Sequence, residues 1–168
     1  MNTSNTNRPL SNKVRPSSSK VTPNLGKLGE QLVSAWLQQQ GWIVLHQRWR
    51  CYWGELDIIA QFPEGLAFVE VKTRTLGSWD VNGLLAVDAK KQAKLWKAAE
   101  LFLAENPHLA NCACRFDVAL VTCLRQPSPR LQASLDSLEF PLFQPGEPIE
   151  VGGYRLVLAE YLSHAFEE

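Results

Sequence analysis

The architecture of this chain is clearest in residues 54–74, which read GELDIIAQFPEGLAFVEVKTR. Two apolar runs rich in β-branched residues, 54–61 and 66–74, predict strands. Residues 62–65, FPEG, separate the runs and have the Pro and Gly of a tight turn. The stretch therefore predicts an antiparallel hairpin.

This hairpin places acidic side chains opposite each other. With a two-residue turn, Asp57 lies opposite Glu70 and Glu55 lies opposite Lys72. Directly opposed side chains share a face of the sheet, with Cβ atoms about 5 Å apart. Two carboxylates so placed repel each other unless a cation binds between them, and their oxygens suit Mg²⁺ or Mn²⁺. Such an ion can hold a phosphate oxygen, and the lysine can position an attacking water, as phosphodiester hydrolysis requires.

Two alternatives to a metal site stay open. A one-residue bulge in the turn would put Asp57 and Glu70 on opposite faces. The charged residues could also form a solvated salt ladder with no chemical role, in which Glu55 pairs with Lys72 and Asp57 with Arg74.

Helical periodicity precedes the hairpin. Apolar residues recur at steps of three and four from Leu25 to Trp36. Thr22 and Pro23 suit the cap and first turn of this helix, and Gly41 suits its end. A strand is predicted at 42–50.

A second helix is predicted to begin after Asp88 and to end near Glu105. We expect its apolar surface to consist of Ala93, Trp96, Ala99, Leu101 and Leu103. A strand at 115–124, a proline-rich irregular insertion at about 125–148 and a hairpin at 149–158 follow. This order of elements predicts an α/β fold with a mixed sheet flanked by helices.

The composition is that of one globular domain, with 168 residues, 45% of them apolar and 20% charged. Seventeen basic side chains balance seventeen acidic ones, which excludes a histone-like binder of nucleic acid. No apolar run approaches the roughly 18 residues of a membrane helix, and the first residues lack the apolar core of a secretory signal. We expect a cytoplasmic protein with no membrane partner.

The first 24 residues differ from the rest, because they carry four basic residues and no acid. Their low apolar content predicts a disordered basic tail at 1–22, followed by a single domain at 23–168. A Ser-rich, acid-free start is also found in transit peptides, although no amphipathic helix is evident.

The four cysteines and three histidines lack the spacing of a zinc site. No two cysteines form a CxxC pair, and Cys112 and Cys114 are separated by a single residue. We interpret the cysteines as reduced thiols packed in the core.

Several motifs in a fixed order resemble a known family. They are Gly29-Glu30, Arg48-Trp49-Arg50, Gly54-Glu55-Leu56-Asp57, the run from Phe68 to Arg74, Val87-Asp88 with Lys91-Gln92, and Arg115-Phe116-Asp117-Val118. This set resembles the YraN-like family of uncharacterised bacterial proteins, whose pattern belongs to the PD-(D/E)XK superfamily. The resemblance covers about residues 25–124, with an echo at 164–166. It implies a restriction-endonuclease-like fold.

The resemblance also implies roles for the residues of the acidic site. Asp57 and Glu70 would be the metal carboxylates, and the carbonyl of Val71 a further ligand of Mg²⁺ or Mn²⁺. Lys72 would be the catalytic lysine. Glu30 would be a supporting acid from the first helix, with an ordinary exposed helix glutamate as the alternative.

Contacts with nucleic acid follow from the same resemblance. Lys91 and Gln92 match a polar pair at the start of the second helix, where phosphates bind. Lys94 and Arg74 are further candidate contacts. Leu56 stands where the name of the superfamily has Pro, a position that varies among its members.

Two other basic features have two explanations each. Residues 48–53 alternate cations with aromatic rings, as in a platform for single strands or in a packed core. Lys90, Lys94 and Lys97 share one helix face, which suits either phosphate contacts or plain solvation.

Arg115 and Asp117, two residues apart on a strand, predict a structural ion pair.

The function that we expect is that of a Mg²⁺- or Mn²⁺-dependent endonuclease acting on nucleic acid, with DNA favoured over RNA and a branched or single-stranded substrate. One alternative is a non-catalytic module that binds nucleic acid or a protein partner. A purely structural domain is the other. The oligomeric state is open, with a homodimer among the expected states.

Overall fold

The computed structural model describes residues 24–75, 87–126 and 138–167. Within these residues, two α-helices flank one six-stranded mixed sheet. The predicted basic tail at 1–22 and the middle of the predicted insertion, 127–137, lie outside the described residues.

The elements follow the predicted order. They are α1 (Leu25–Gln39), β1 (Ile43–Cys51), β2 (Gly54–Phe62), β3 (Gly65–Thr75), α2 (Ala89–Glu105), a short 3-10 helix (Pro107–Leu109), β4 (Ala113–Arg125), β5 (Pro148–Val151) and β6 (Tyr154–Phe166). The strands lie in the order β1-β2-β3-β4-β6-β5. β3 and β4 are parallel, with α2 between them in the chain, and the other neighbours are antiparallel. This is an α/β architecture consistent with a restriction-endonuclease-like fold.

The β2–β3 hairpin has the predicted register. Its pairs run from Phe62 opposite Gly65, next to the turn, to Ile58 opposite Val69. The turn therefore holds two residues and contains no bulge. The alternative in which a bulge separates the two acids is wrong.

The N-cap of helix α1 lies two residues later than predicted. The side chain of Asn24 accepts a hydrogen bond from the Lys27 N–H at 3.3 Å, so Asn24 is the cap rather than Thr22. Gly41 follows the helix with a φ of +83°, which glycine adopts without strain and which confirms the predicted helix end.

Helix α2 begins as predicted, because the Asp88 side chain accepts from the Lys91 N–H at 2.9 Å. Its apolar face agrees with the prediction at Ala99, which is buried, and at Trp96 and Leu103, which are partly buried, and differs from it elsewhere. The buried residues are Leu95, Ala98, Ala99 and Phe102, whereas Ala93 is exposed. The buried set has the spacing of one helix face, and the position of α2 over the aromatic rings of the sheet selects that face.

The two helices cover opposite faces of the sheet. Leu28 and Leu32 of α1 pack in one apolar cluster with Val69 of β3. Phe102 of α2 packs in a second cluster with Phe68 of β3, at 6.1 Å between ring centroids. Since both faces of β3 are covered, its residues 65–70 are all buried, and exposure begins after them.

The described end of the predicted insertion packs on α1. Gln39 Nε2 donates to the Pro141 carbonyl at 2.9 Å, and the Phe143 N–H donates to Gln39 Oε1 at 3.4 Å. Phe143 is buried in the α1 cluster. Residues 138–147 are therefore irregular in backbone, as predicted, and they close the core beyond the end of the helix.

A fully buried Asp117 ties β4 to the end of β6. It accepts hydrogen bonds from Arg115 Nε at 3.1 Å, Tyr161 Oη at 2.6 Å and the His164 N–H at 3.0 Å. The predicted Arg115–Asp117 ion pair is confirmed. The hydrogen bond from the His164 N–H thus holds the end of β6 beside Asp117.

The cysteines correct one expectation. All four are unpaired, as predicted, but Cys114 is exposed and only Cys123 is buried. The interpretation of core thiols is therefore wrong for Cys114, which lies near the start of β4.

The sequence predicts that no helix crosses a membrane, and this can be compared with the helices of the structure. Neither α1 nor α2, the α-helices of the described residues, combines the length and apolar character needed to cross a membrane.

Candidate metal and nucleic-acid site

The site lies where β2 and β3 stop pairing. The last ladder pair is Ile58 with Val69, and one residue further Asp57 Oδ2 accepts from the Val71 N–H at 2.8 Å. A side-chain carboxylate thus continues the link between the strands. Since the N–H and C=O of one residue in an extended strand point to the same edge, the Val71 carbonyl faces this gap too.

Glu70 brings a buried carboxylate to the same place. Its side chain is 8% exposed, and Oε1 accepts from Lys91 Nζ. Oε2 is buried and has no hydrogen-bond partner within the described residues. A buried acceptor without a partner costs about 1–3 kcal/mol, and more when it is charged. Glu70 therefore has one oxygen available to a ligand.

The pKa of Asp57 is shifted by its burial next to Glu70. Burial raises the pKa of Asp57 to about 7, with the charge of Glu70 as the second cause. The N–H of Val71 opposes this rise by stabilising the carboxylate. A carboxylate whose ionisation is disfavoured by burial and by a second carboxylate forms a site that a cation would stabilise.

Lys72 lies beside Glu70. Burial lowers the pKa of the Lys72 ammonium, and the charge of Glu70 partly opposes this. Lys72 and Glu70 line a cavity of about 390 Å³ together with Arg74 and Lys91. The structure thus places Asp57, Glu70 and Lys72 at one end of the hairpin, with Lys72 next to Glu70, and their roles in metal binding and catalysis stay predictions.

Glu30 reaches the site from α1. It is 7% exposed, so the alternative of an ordinary exposed helix glutamate is wrong. Burial raises the pKa of Glu30, and Arg48, whose Nε lies 3.6 Å from Glu30 Oε2, opposes this. Gly29 permits this approach, because a Cβ there would lie 2.0 Å from Thr73 Oγ1.

Arg48 is a site residue that sequence reasoning missed. Its Nε donates to Glu55 Oε1 at 2.6 Å, and Arg50 Nε donates to Glu55 Oε2 at 2.7 Å. Both oxygens of Glu55 are thus engaged by β1, whereas the salt-ladder alternative called for a pair with Lys72. The signal was the Arg48-Trp49-Arg50 motif, which we interpreted only as a family pattern and a stacking segment.

The backbone of Arg48 is also unusual. It has a φ of +54° within β1, a left-handed conformation that costs a non-glycine residue about 1–2 kcal/mol. Strain of this kind persists where surrounding contacts stabilise it, often at functional sites. Here the contacts are the two acids, Glu55 and Glu30, that flank the guanidinium.

Lys91 and Gln92 are both engaged within the protein. Lys91 Nζ donates to Glu70, and Gln92 Nε2 donates to the Val87 carbonyl at 2.7 Å. Their predicted phosphate contacts stay predictions, as do those of Lys94 and Arg74, which are exposed.

A cavity of about 510 Å³ lies between Glu30, Asp57 and Lys91. Its lining includes four acids, Glu30, Glu55, Asp57 and Asp88, and four basic residues, Arg48, Lys90, Lys91 and Lys94. A lining of both charges suits a phosphate that is held partly by lysine and partly by a cation.

The groups that would hold a metal ion can be compared with the ligands that Mg²⁺ usually takes. Across the described ranges, no three side chains of His, Cys, Asp and Glu lie close enough together to enclose a metal ion. Mg²⁺ is commonly held by one or two carboxylates, with water and phosphate oxygens completing its coordination. Asp57, the unpartnered Glu70 Oε2 and the Val71 carbonyl fit that requirement.

Comparison with known proteins identifies the family. The sequence model of the family described as "Uncharacterised protein family UPF0102" matches residues 29–121. This chain belongs to the UPF0102 family. The matched range contains Glu30, Asp57, Glu70 and Lys72, so the candidate site lies inside the family region.

Proteins named UPF0102 protein from several organisms are similar over most of their length. One from Trichodesmium erythraeum is 47% identical, over 84% of this chain and 87% of its own. One from Acaryochloris marina is 47% identical, over 84% and 88%. One from Synechocystis sp. is 49% identical, over 84% and 96%. The family is uncharacterised, so membership assigns no activity.

Proposed function

We propose that this UPF0102 protein is a Mg²⁺- or Mn²⁺-dependent endonuclease that hydrolyses phosphodiester bonds in DNA. The observation that carries the proposal is the buried Glu70 Oε2, which has no hydrogen-bond partner among the described residues and lies at the end of the hairpin that also holds Asp57. A bare carboxylate oxygen next to a second carboxylate is costly unless a cation binds there.

The residues that would hold the ion are Asp57, Glu70 and, through its carbonyl, Val71. The chemistry that Mg²⁺ supplies when bound is neutralisation of phosphate charge and acidification of an attacking water. The protein prepares this site by excluding water from Glu70 and by holding Asp57 in place through the Val71 N–H.

Lys72 would act on the attacking water or on the charge that develops on the phosphate. Because burial lowers the pKa of Lys72, its ammonium releases a proton more readily than an exposed lysine. It is suited to positioning the attacking water or stabilising the charge that develops on the phosphate. Lys94 and Arg74, exposed beside the two cavities, would bind flanking phosphates.

The test is cleavage of labelled linear duplex, single-stranded, flap and four-way-junction DNA, with Mg²⁺, Mn²⁺ or EDTA. The wild type is compared with Glu70→Ala, Lys72→Ala and the matched control Glu64→Ala, which removes an exposed glutamate in the hairpin turn. We expect metal-dependent cleavage that both site variants lose and the control keeps. Circular dichroism and thermal melting check that each variant is folded.

Two results would contradict the proposal. Cleavage that persists in both site variants would place the activity elsewhere, or in a contaminant. The absence of cleavage with every substrate and metal, by a protein that binds the same DNA, would support a module without catalysis.

That binding module is the second candidate function. The observation that favours it is the ion pair in which Lys91 Nζ already neutralises one oxygen of Glu70. Titration of Mg²⁺ and Mn²⁺ by calorimetry separates the two candidates. A nuclease should bind the ion and lose that binding in Asp57→Ala, whereas a module of this kind should bind DNA equally with and without metal.

A further inference from the structure

The turn between β1 and β2 presents two aromatic rings to solvent. Tyr52 is 91% exposed and Trp53 is 38% exposed, and their ring centroids lie 5.2 Å apart with the rings edge to face. Trp49, from the same aromatic-rich segment, instead packs on Phe102 at 5.5 Å. The segment 48–53 thus contains one core ring and two surface rings.

Positive charge accompanies the surface rings. Lys97 Nζ on α2 lies 4.2 Å from the centroid of the Trp53 ring, and the side chain of Arg50, although its Nε donates to Glu55, is 68% exposed. A cation over a ring face is attracted by the ring quadrupole. Flat rings combined with cations are the chemistry of surfaces that stack bases and neutralise phosphates, sequence-independently.

Trp53, one of the two rings, adjoins the acidic site. Trp53 and Lys94 line the same cavity as Asp57. Only four positions of the chain separate Trp53 from Asp57, which is at most ~13 Å of extended strand. A single strand with a phosphate at Asp57 would therefore place nearby bases within reach of the rings.

We propose that Tyr52 and Trp53 stack the unpaired bases of single-stranded DNA beside the acidic site. The position of the cut bond relative to these bases rests on the proposed nuclease function, but base binding needs no cleavage. In a duplex each base face is covered by its neighbours, so this stacking platform, Tyr52 and Trp53 with Lys97, selects unpaired over paired DNA.

The test is fluorescence anisotropy in EDTA, where cleavage is suppressed. The probes are a short labelled oligothymidylate, a duplex of the same length and an abasic oligomer with the same number of phosphates. We expect the single strand to bind most tightly. Replacing both rings, Tyr52→Ala with Trp53→Ala, should weaken its binding about 10-fold or more and leave the abasic oligomer unchanged.

Two matched variants make the result specific. Trp53→Phe keeps a ring and should retain most of the affinity. Leu142→Ala removes an apolar side chain that is 85% exposed on a different segment, and it should have no effect. Since Tyr52 and Trp53 lie in an exposed turn, the double variant should melt at the wild-type temperature.

Three results would overturn the stacking platform. They are unchanged binding in the double variant, an equal loss for the abasic oligomer, and loss of a dimer in sedimentation velocity with unchanged DNA affinity. The last would assign the turn to contact between copies of the chain. Failure of the nuclease proposal is separate, because a wild type that cuts no substrate can still bind single strands through these rings.

Discussion

Lys91 on α2 and Glu70 on β3 form an ion pair that occupies one oxygen of the Glu70 carboxylate and leaves the other buried, with no partner in the part of the chain that the structure describes. The ammonium is half exposed, whereas the carboxylate is 8% exposed. Lys91 is therefore an internal counter-ion at the position where a divalent cation would reduce the same charge.

The first prediction concerns this counter-ion. In EDTA at pH 8, Lys91→Ala should lower the free energy of unfolding by about 1–2 kcal/mol, because Glu70 loses its cation. The loss should be smaller than for a fully buried pair, because solvent screens the exposed ammonium. Mg²⁺ or Mn²⁺ should stabilise the variant more than the wild type. Urea unfolding with and without metal measures both effects.

The control for that experiment is Lys90→Ala, which removes the neighbouring exposed lysine of the same helix end. It should change the free energy of unfolding by less than about 0.5 kcal/mol. Equal metal stabilisation of wild type and Lys91→Ala would contradict the role of Lys91 as counter-ion.

The second prediction is a pH dependence set by Asp57. Its pKa is raised from 3.8 to about 7 in the folded protein, so between these values the folded state binds more protons than the unfolded state. Stability should therefore fall as pH rises from about 4 to 7, by up to roughly 4 kcal/mol, and level off above that range.

Asp57→Asn should lose this fall, and metal-free urea unfolding at pH 5 and pH 8 measures the difference. Glu64→Gln, in the exposed turn, serves as control and should follow the wild type. Parallel pH profiles for wild type and Asp57→Asn would show that Asp57 titrates at its ordinary pKa.

The third prediction concerns the close approach of α1 to β3. Gly29→Ala should cost about 1–3 kcal/mol, because the added Cβ would lie 2.0 Å from Thr73 Oγ1 and one element must move. In a Thr73→Ala background the same substitution should cost less, since the clashing oxygen is gone. A double-mutant cycle by urea unfolding measures this coupling, and additive losses would contradict it.

The fourth prediction concerns Arg48. Arg48→Gln removes the cation between Glu30 and Glu55 and should cost about 1–2 kcal/mol at pH 8. The loss should be smaller at pH 5, because burial raises the pKa of Glu30 and a protonated acid needs no cation.

Arg50→Gln is the matched control for Arg48, because Arg50 contacts the same glutamate from a more exposed position. It should cost less than about 0.5 kcal/mol, as exposed ion pairs do. Equal losses for the two arginines, measured by thermal and urea unfolding, would show that the left-handed backbone of Arg48 marks no special contact.

Much of the hairpin was predictable because its determinants are local. Side-chain alternation and a two-residue turn are enough to set the register of β2 and β3, and the observed pairs confirm it. The cap of α2 at Asp88 was predictable for the same reason, since a cap bonds to a residue three positions away.

The interactions within the site were less predictable. The pairing of Lys91 with Glu70 joins residues 21 positions apart, and only the placement of α2 on the sheet brings them together. The same placement selects Leu95 and Phe102 as the buried face and puts Lys97 over Trp53. Periodicity defines the faces of a helix, but not which neighbour each face meets.

By itself, then, the sequence determined the α/β order of elements, the hairpin register and the presence of Asp57, Glu70 and Lys72 at one end of it. The tertiary structure decided which charges lie within reach of each other, which rings of 48–53 are exposed, and that Arg48 takes a left-handed backbone. The physical reason is range. Turns, caps and alternation depend on a few bonds along the chain, whereas burial and ion pairing depend on packing between elements that are distant in sequence.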